Sequence, residues 1–315
     1  MFPALTNVQI RERIERNADK VGTVPYANTA GHPNGTWNQE MGYGRINALK
    51  SLTEPNNLWM AWKGSGNDQL NVMSVFEPKK KIVLDETSDS SPALTAFKSS
   101  FWIAWKGSGN DQLNVMDVFN PNNKIVLDEE SDTFPALTTF KDQLWIAWKG
   151  SGNDQLNVMD VFNPSSKIIL NETSDTSPTI ASNVDLLRIA WKGSGNDQLN
   201  FMDNISVPSS IIVLSEESEI SPSLTRFNEA FWLGWKGSGN DQLNTMNVHD
   251  PPSKVVLNEE SSHSPSVTEF NDDLWIAWKG SGNDQLNVMD VFNPSSKRVL
   301  AESSDTAPSI ASFII

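Results

Sequence analysis

The chain of 315 residues contains no cysteine, which excludes disulfides and thiol chemistry. Positive charge is scarce, since 24 Lys and Arg residues stand against 39 Asp and Glu residues, for a net charge of −15. A basic surface is what phosphate binding requires, so nucleic acid is not an expected partner. No run of 18 apolar residues occurs, which predicts no membrane span. The N-terminus lacks the apolar segment of a signal peptide.

The sequence does contain a repeat. The ten residues WKGSGNDQLN begin at Trp62 and return unchanged at 105–114, 148–157, 191–200, 235–244 and 278–287, every 43 or 44 residues. Each unit holds four short runs rich in Val, Ile, Phe or Trp and bounded by turn residues; in the second unit they are 91–97, 101–107, 111–119 and 124–129. Four strands in a unit of this length predict a propeller blade.

The two ends of the array predict how it closes. It opens at 58–64 with the second of the four runs and finishes at 307–313 with the first. The last strand would therefore complete the first blade and leave no open sheet edge. We expect residues 58–315 to form an all-β, six-bladed propeller with four-stranded antiparallel blades, similar to bacterial propeller repeat modules.

Residues 1–53 differ from the repeats. Ile10, Ile14, Ala18 and Val21 form one apolar stripe and predict a helix, with Thr6 and Gln9 as its capping box. The Gly-, Pro- and Asn-rich residues 22–44 predict a loop. Residues 45–52 predict a second short helix. We expect this segment to be a short helical remnant preceding the propeller.

Two stretches of this segment, FPALTNVQIRERIERNADKV and GYGRINALKSL, resemble the C-terminal end of the catalytic domain of subtilisin-like serine peptidases. The resemblance covers about the first fifty residues and implies a secreted parent protein with an upstream peptidase domain. The family's nucleophile and histidine motifs are absent here, and His32, His249 and His263 lie in unrelated contexts. We therefore expect no enzymatic activity from this chain.

In five of the six units, two tryptophans lie three residues apart, so they face opposite sides of a strand. The later one occurs in all six units, and we expect it to pack between blades. The earlier one is replaced by Arg188 in the fourth unit. A position that accepts arginine should let a charged group reach water, which makes the earlier tryptophan the better aromatic candidate for a surface contact, while packing between blades remains its favoured role.

The repeated loop is the candidate ligand site. If the four strands are lettered a to d, the b–c loop KGSGNDQ and the acidic d–a connection share one face of the disc. Lys, Asn, Asp and Gln beside Trp are suited to holding a sugar. The candidate binding residues are Lys63, Asn67, Asp68, Gln69, Lys106, Asn110, Asp111, Gln112, Lys149, Asn153, Asp154, Gln155, Lys192, Asn196, Asp197, Gln198, Lys236, Asn240, Asp241, Gln242, Lys279, Asn283, Asp284, Gln285, Trp59, Trp102, Trp145, Trp232 and Trp275.

Two alternatives explain the same loop. Two glycines and an Asn-Asp pair suit a tight turn that needs positive φ, so the loop could serve only as a turn. GSGNDQL also resembles one half of a calcium-binding repeats-in-toxin motif, although it occurs once per unit and lacks the second half. Apart from calcium, no cofactor is predicted.

Three functions follow from these patterns. The first is multivalent recognition of a polysaccharide or cell-surface glycan, in which six weak sites act by avidity, attached to a secreted peptidase. The second is the C-terminal part of a secreted serine endopeptidase. The third is a protein-binding platform that uses the acidic rim to hold a surface protein.

Overall fold

The computed structural model describes residues 10–11, 14–15, 17–48, 55–98 and 100–314. It divides into two compact units: one comprises Met1–Asn56 with Ile314–Ile315, and the other comprises Asn57–Phe313. No helix among the described residues is long and apolar enough to span a membrane.

The N-terminal unit contains a hairpin that the sequence did not predict. Strands β1 (Ala27–Thr29) and β2 (His32–Trp37) pair antiparallel within the segment expected to be a loop. Gly31, with φ of +83°, occupies the two-residue turn between them, where a side chain would be strained. The prediction was wrong because the strands are short and carry almost no apolar alternation.

The predicted helices of this unit fall largely outside the described residues. Residues 10–11 and 14–15 are α-helical, and residue 17 lies in a turn. Of the second predicted helix, residues 45–47 are not helical and residue 48 is. Residues 1–9, 12–13, 16 and 49–54, with the capping box, lie outside the described residues, so the helical remnant stays a prediction.

The second unit consists of six four-stranded sheets, which we number as blades 1 to 6. Blade 1 contains β3 (Pro55–Lys63), β4 (Gln69–Ser74), β5 (Ile82–Thr87) and the last strand, β26 (Ser309–Ile314). Blade 2 contains β6 (Ala93–Phe97), β7 (Ser100–Lys106), β8 (Gln112–Asp117) and β9 (Asn120–Glu130); blade 3 contains β10 (Ala136–Phe140), β11 (Gln143–Lys149), β12 (Gln155–Asp160) and β13 (Asn163–Thr173).

The remaining blades repeat this plan. Blade 4 contains β14 (Thr179–Ser182), β15 (Leu187–Lys192), β16 (Gln198–Met202) and β17 (Ile211–Glu217). Blade 5 contains β18 (Ser223–Phe227), β19 (Ala230–Lys236), β20 (Gln242–Asn247) and β21 (Asp250–Glu260); blade 6 contains β22 (Ser266–Phe270), β23 (Asp273–Lys279), β24 (Gln285–Asp290) and β25 (Asn293–Ser303). Single 3₁₀ turns at Pro78–Lys80 and Pro208–Ser210 precede the outer strands of blades 1 and 4.

The ring closes as the sequence predicts. The sheet of blade 1 has the order β26-β3-β4-β5, so the last strand of the chain pairs with the first strand of the array. All described pairs within the blades are antiparallel, as in β6 with β7 and β7 with β8. The prediction of six four-stranded antiparallel blades is confirmed.

The later tryptophans pack between blades, which confirms their predicted role. All six rings, those of Trp62, Trp105, Trp148, Trp191, Trp235 and Trp278, are at most 2% exposed. Trp148 of blade 3, for example, shares one apolar cluster with Leu113 and Val115 of blade 2. Burying an aromatic side chain at every interface supplies much of the apolar stabilisation of the ring.

A lysine on the outer strand covers five of these rings. Nζ of Lys124 lies 5.2 Å from the ring centroid of Trp105. The same atom donates to both carboxylate oxygens of Glu86 on blade 1 at 2.7 Å. The other four pairs join Lys81 to Glu302, Lys167 to Glu129, Lys254 to Glu216 and Lys297 to Glu259. Ile211 takes the lysine position at the interface between blades 3 and 4, which therefore has no such bridge.

Candidate functional site

The repeated b–c loops and the d–a connections contact each other on one face of the disc, which we call the loop face. In blade 1, the N–H of Gly64 donates to Gln69 O at 2.8 Å and closes the loop. Asp68 has a φ of +56°, a left-handed conformation that Asp and Asn tolerate better than most residues. Its carbonyl accepts the N–H of the fully buried Ser88 at 2.9 Å, and the same bond occurs in all six blades.

The loop lysine is held between two carboxylates. In blade 3, Nζ of Lys149 lies 2.7 Å from Oδ1 of Asp154 in its own loop and 2.6 Å from Oδ1 of Asp132 in the preceding d–a connection. The lysine side chain is only 5% exposed. The corresponding d–a partners of the other lysines are Asp305, Asp89, Asp175 and Glu219, while Lys279 meets the hydroxyl of Ser262 at 3.3 Å instead.

The carboxylates keep this buried ammonium charged. Burial by itself would lower the pKa of Lys149, but the hydrogen bonds from Nζ to Asp132 and Asp154 outweigh it and raise the pKa above its usual value. The same balance raises the pKa of Lys63, Lys106 and Lys236. In five of the six blades, the b–c loop is thus fastened by charge to the connection that enters its own blade.

The loop amides also have structural partners. Oδ1 of Asn67 accepts the N–H of Gln69 at 3.2 Å, and Nε2 of Gln69 donates to Leu84 O on the outer strand at 3.2 Å. A Cβ atom on Gly64 would lie 2.5 Å from that Asn67 oxygen, which explains the glycine. The unchanged Lys, Asn, Asp and Gln therefore have a structural explanation, and their role in ligand binding stays a prediction.

Sequence reasoning missed the d–a partner of the lysine, although a signal for it exists. An Asp or Glu lies 17 residues before the loop lysine in blades 2 to 5, as in Asp89 and Lys106. Among the described residues, no group of three or more His, Asp or Glu side chains is placed to hold a metal ion. The loop aspartates that calcium would need instead contact lysine.

The earlier tryptophans are not open to solvent. Trp59, Trp102, Trp232 and Trp275 are 6–9% exposed, and Trp145 is partly buried. Their position was expected to reach water because Arg188 replaces one of them, and that expectation was wrong. Arg188 is itself buried, its Nε lies 2.6 Å from Oδ1 of Asp203, and its guanidinium stacks 4.2 Å from the ring centroid of Phe231.

The rings that do reach solvent belong to the c–d turns on the opposite face, which we call the turn face. Phe119, Phe162 and Phe292 are 51–52% exposed. Phe162 of blade 3 stacks on Phe97 of blade 2 at 5.8 Å and meets the edge of Trp102 at 5.4 Å. One side of each phenyl ring covers the buried tryptophan of the preceding blade, and the rest of the ring remains open.

A groove of about 790 Å³ lies between two of these rings. This blade 2 groove is lined by Phe97, Trp102, Asp117, Phe119, Asn120 and Phe162, with Asn123 and Lys124 beside them. Oδ1 of Asp117 accepts hydrogen bonds from the hydroxyl of Ser100 and from the N–H of Phe119. No described residue hydrogen bonds to the exposed side-chain amides of Asn120 and Asn123, so both are free to meet a ligand.

The corresponding position in blade 6 pairs two acids. Asp273 and Asp290 stand where blade 3 has Gln143 and Asp160, whose side chains hydrogen bond at 2.9 Å. Burial raises the pKa of Asp273, and the nearby Asp290 and Asp272 raise it further. The ionised form of Asp273 is therefore disfavoured in the folded state.

Asp273→Gln is expected to raise the melting temperature at pH 7. Because the pKa of Asp273 is higher in the folded state than the usual 3.8, ionisation costs stability as the pH rises above that value. The gain from the substitution should shrink as the pH falls below 3.8. Thermal melts of both proteins at pH 7 and pH 3.5 measure this, with the exposed Asp128→Asn as a control. An equal gain at both pH values would contradict the explanation.

The three histidines have separate surroundings. The ring of His32 stacks on Trp37 at 4.0 Å. Nε2 of His249 lies 3.5 Å from Oδ1 of Asp203, and Nδ1 of His263 is 3.0 Å from the hydroxyl of its neighbour Ser262. Burial lowers the pKa of His263, and Lys279 lowers it further. No described histidine is hydrogen bonded to both a serine and a carboxylate.

The fold defines the class of this protein as a six-bladed β-propeller with four-stranded blades. The structure is similar to a chain in the crystal structure of the nidogen/laminin complex, with a TM-score of 0.57 and 13% identity over 82% of this chain and 98% of that one. The structure of apo AztD from Citrobacter koseri matches with a TM-score of 0.37 and 10% identity, over 79% of this chain and 71% of that one. No family model and no curated protein matches the chain.

Proposed function

We propose that the propeller is a non-catalytic platform that binds a polysaccharide or cell-surface glycan through several equivalent grooves on its turn face. The half-exposed phenyl rings carry this proposal. A pyranose presents an apolar face that packs on an aromatic ring, and hydroxyls that bond to amides and carboxylates. The blade 2 groove offers both kinds of contact, in Phe119 and Phe162 and in Asn120, Asn123 and Asp117.

The repetition of the c–d phenylalanine around the ring supports a polymeric ligand. The phenylalanine of the c–d turn recurs as Phe76, Phe119, Phe162 and Phe292, and His249 takes its place in blade 5. Weak sites on one rigid ring bind a polymer more tightly than any site alone, because later contacts form at high effective concentration. We therefore propose the glycan contacts for the turn face and not for the loop face, where the polar side chains already hydrogen bond to one another.

A protein partner is the second candidate, and the acidic loop face favours it. Carboxylates beyond those that hold the loop lysines stand where the outer strands meet the d–a connections, among them Glu130, Glu217 and Glu260. A basic surface on another protein would complement them. The neighbour from the nidogen/laminin complex shares the fold alone. Attachment to a secreted subtilisin-like peptidase remains a prediction that rests on the two N-terminal motifs.

The test measures binding to a panel of immobilised polysaccharides. Phe162→Ala alone is expected to weaken binding severalfold, since one aromatic contact contributes about 1 kcal/mol. Phe119→Ala, Phe162→Ala and Phe292→Ala together should remove it, because the losses multiply in a multivalent complex. Asn120→Ala with Asn123→Ala tests the same groove without touching the packed rings.

The control is Val213→Ala, which removes an exposed apolar side chain from β17 of blade 4, a strand that does not line the blade 2 groove. Circular dichroism confirms that each variant is folded. If the triple variant is folded and binds as tightly as the parent, the groove proposal fails. Binding to a basic protein but to no polysaccharide would support the second candidate.

A further inference from the structure

The six inner strands, β6, β10, β14, β18, β22 and β26, surround a central channel of about 340 Å³. This volume lies at the small end of ligand sites, which occupy about 300–1,000 Å³. Each strand exposes one backbone edge to the channel, and the N–H and C=O groups on that edge need partners. How each blade satisfies them shows where the channel departs from sixfold repetition.

Hydroxyl groups satisfy the N–H groups at four of the six steps around the ring. The hydroxyl at the first position of one inner strand accepts the N–H at the second position of the next strand. These bonds join Ser309 to Leu94, Thr179 to Leu224, Ser223 to Val267 and Ser266 to Ile310, at 2.9–3.0 Å.

Two adjacent steps lack the hydroxyl. Ala93 and Ala136 occupy the first position in blades 2 and 3, so the N–H groups of Leu137 and Ile180 face no such acceptor. Leu137 pairs with Ile146, and Ile180 with Ile189, in the same register as Leu94 with Ile103. Their N–H groups therefore point toward the first position of the preceding inner strand at the channel wall, as that of Leu94 does. Two neighbouring backbone donors suit a carboxylate.

The fourth position of the inner strands provides an acidic group that could hold a positive charge, at the other end of the channel from the free N–H groups. This position is small or hydroxylic in blades 2 to 4, where the hydroxyl of Thr139 donates to Ala96 O at 2.7 Å. Blades 5 and 6 instead place Arg226 and Glu269 in the channel wall. The guanidinium of Arg226 is bound by Glu229 in the adjoining turn.

Glu269 forms no ion pair among the described residues, although its carboxylate accepts a hydrogen bond from the backbone N–H of Asn228. Burial raises its pKa, and Asp272 raises it further, against smaller lowerings by Arg226 and by the hydrogen bond from Asn228. A cation in the channel would stabilise its ionised form. The ring of Thr95, Thr138, Thr225 and Thr268 between the two levels offers further hydroxyls to a polar ligand.

We propose that the channel binds a small linear zwitterion whose ammonium and carboxylate groups lie several bonds apart. The carboxylate is held by the N–H groups of Leu137 and Ile180, and the ammonium by Glu269. The second and fourth positions of a strand are about 7 Å apart along its axis, and blades 3 and 6 face each other across the ring. This separation favours an ω-amino acid or a dipeptide over an α-amino acid.

The test is calorimetric titration of the full chain with 6-aminohexanoate, glycylglycine, glycine, hexylamine and hexanoate. We expect binding of 6-aminohexanoate or glycylglycine. The one that binds more tightly shows whether the channel prefers an ω-amino acid or a dipeptide. Hexylamine and hexanoate should each bind at least about tenfold more weakly, since each lacks one charged contact. Equal binding of hexylamine, or no binding of either zwitterion, would overturn the proposal.

Two variants test the two ends of the proposed site, the carboxylate of Glu269 and the backbone N–H groups. Glu269→Gln removes the acceptor charge, and Ala136→Ser supplies the hydroxyl that caps the corresponding N–H in other blades. Each should weaken zwitterion binding about tenfold, while Asp142→Asn on an exposed a–b turn should not. Unchanged affinity in both variants would also overturn it. Neither variant touches the turn-face grooves, so polysaccharide binding should persist and the two proposals can fail separately.

Discussion

Deleting residues 308–315 is expected to abolish the cooperative thermal transition of the propeller. The deletion removes β26, the inner strand of blade 1, and with it the pairing that joins the two ends of the chain. Ile310 is lost from the cluster that contains Leu58 and Met60, and Leu94 loses the hydroxyl of Ser309. The exposed edge of β3 then favours aggregation. Circular dichroism melts and size-exclusion chromatography measure both effects.

A synthetic peptide of residues 303–315 provides the control, since it can supply β26 in trans. We expect it to restore a cooperative transition to the truncated chain. A peptide in which Ile310 is replaced by Asp should fail, because the charge would enter an apolar cluster. A truncated chain that keeps the melting temperature and elution volume of the parent would contradict closure through the last strand.

Lys149→Met is expected to lower the free energy of unfolding by about 2 kcal/mol, because it leaves Asp132 and Asp154 facing each other without a cation. The figure is below that for a fully buried pair, since these carboxylates are 40% and 45% exposed and are partly screened by water. Lys279→Met is the matched comparison. Lys279 meets only one carboxylate, that of Asp284, so its loss should cost about half as much.

Urea unfolding of both variants and the parent measures the difference. Adding Ser262→Asp to the parent supplies the missing carboxylate and should stabilise blade 6. Its effect should vanish in the Lys279→Met background, as expected for two groups that act together. Equal losses for Lys149→Met and Lys279→Met would show that the second carboxylate does not contribute.

The blade architecture could be predicted because its signals are local. Alternating and continuous apolar runs mark each strand, and the unchanged ten residues fix the register of every unit. The closure of the ring followed from a simple offset, since the array opens at 58–64 with the second run and finishes at 307–313 with the first. None of this requires knowledge of which side chains meet in space.

The candidate site could not be predicted to the same extent, because its contacts join separate strands and blades. The unchanged Lys63 suggests ligand binding until Asp305, at the far end of the chain, is seen beside it. The earlier tryptophans suggested a surface contact, and the phenylalanines that cover them come from the following blade. Arg188 misled for the same reason, because Asp203 neutralises it within the blade interface.

The loop face fastens the blades together, and we propose that the turn face binds the glycan. The most direct test of this claim compares two folded variants on one immobilised polysaccharide by biolayer interferometry. The first carries Asp→Asn substitutions at Asp68, Asp111, Asp154, Asp197, Asp241 and Asp284. All of these except Asp197 have a left-handed backbone, which Asn tolerates as Asp does. The second carries Phe119→Ala, Phe162→Ala and Phe292→Ala. We expect the first to bind like the parent and the second to lose binding; loss in the first with retention in the second would contradict the claim.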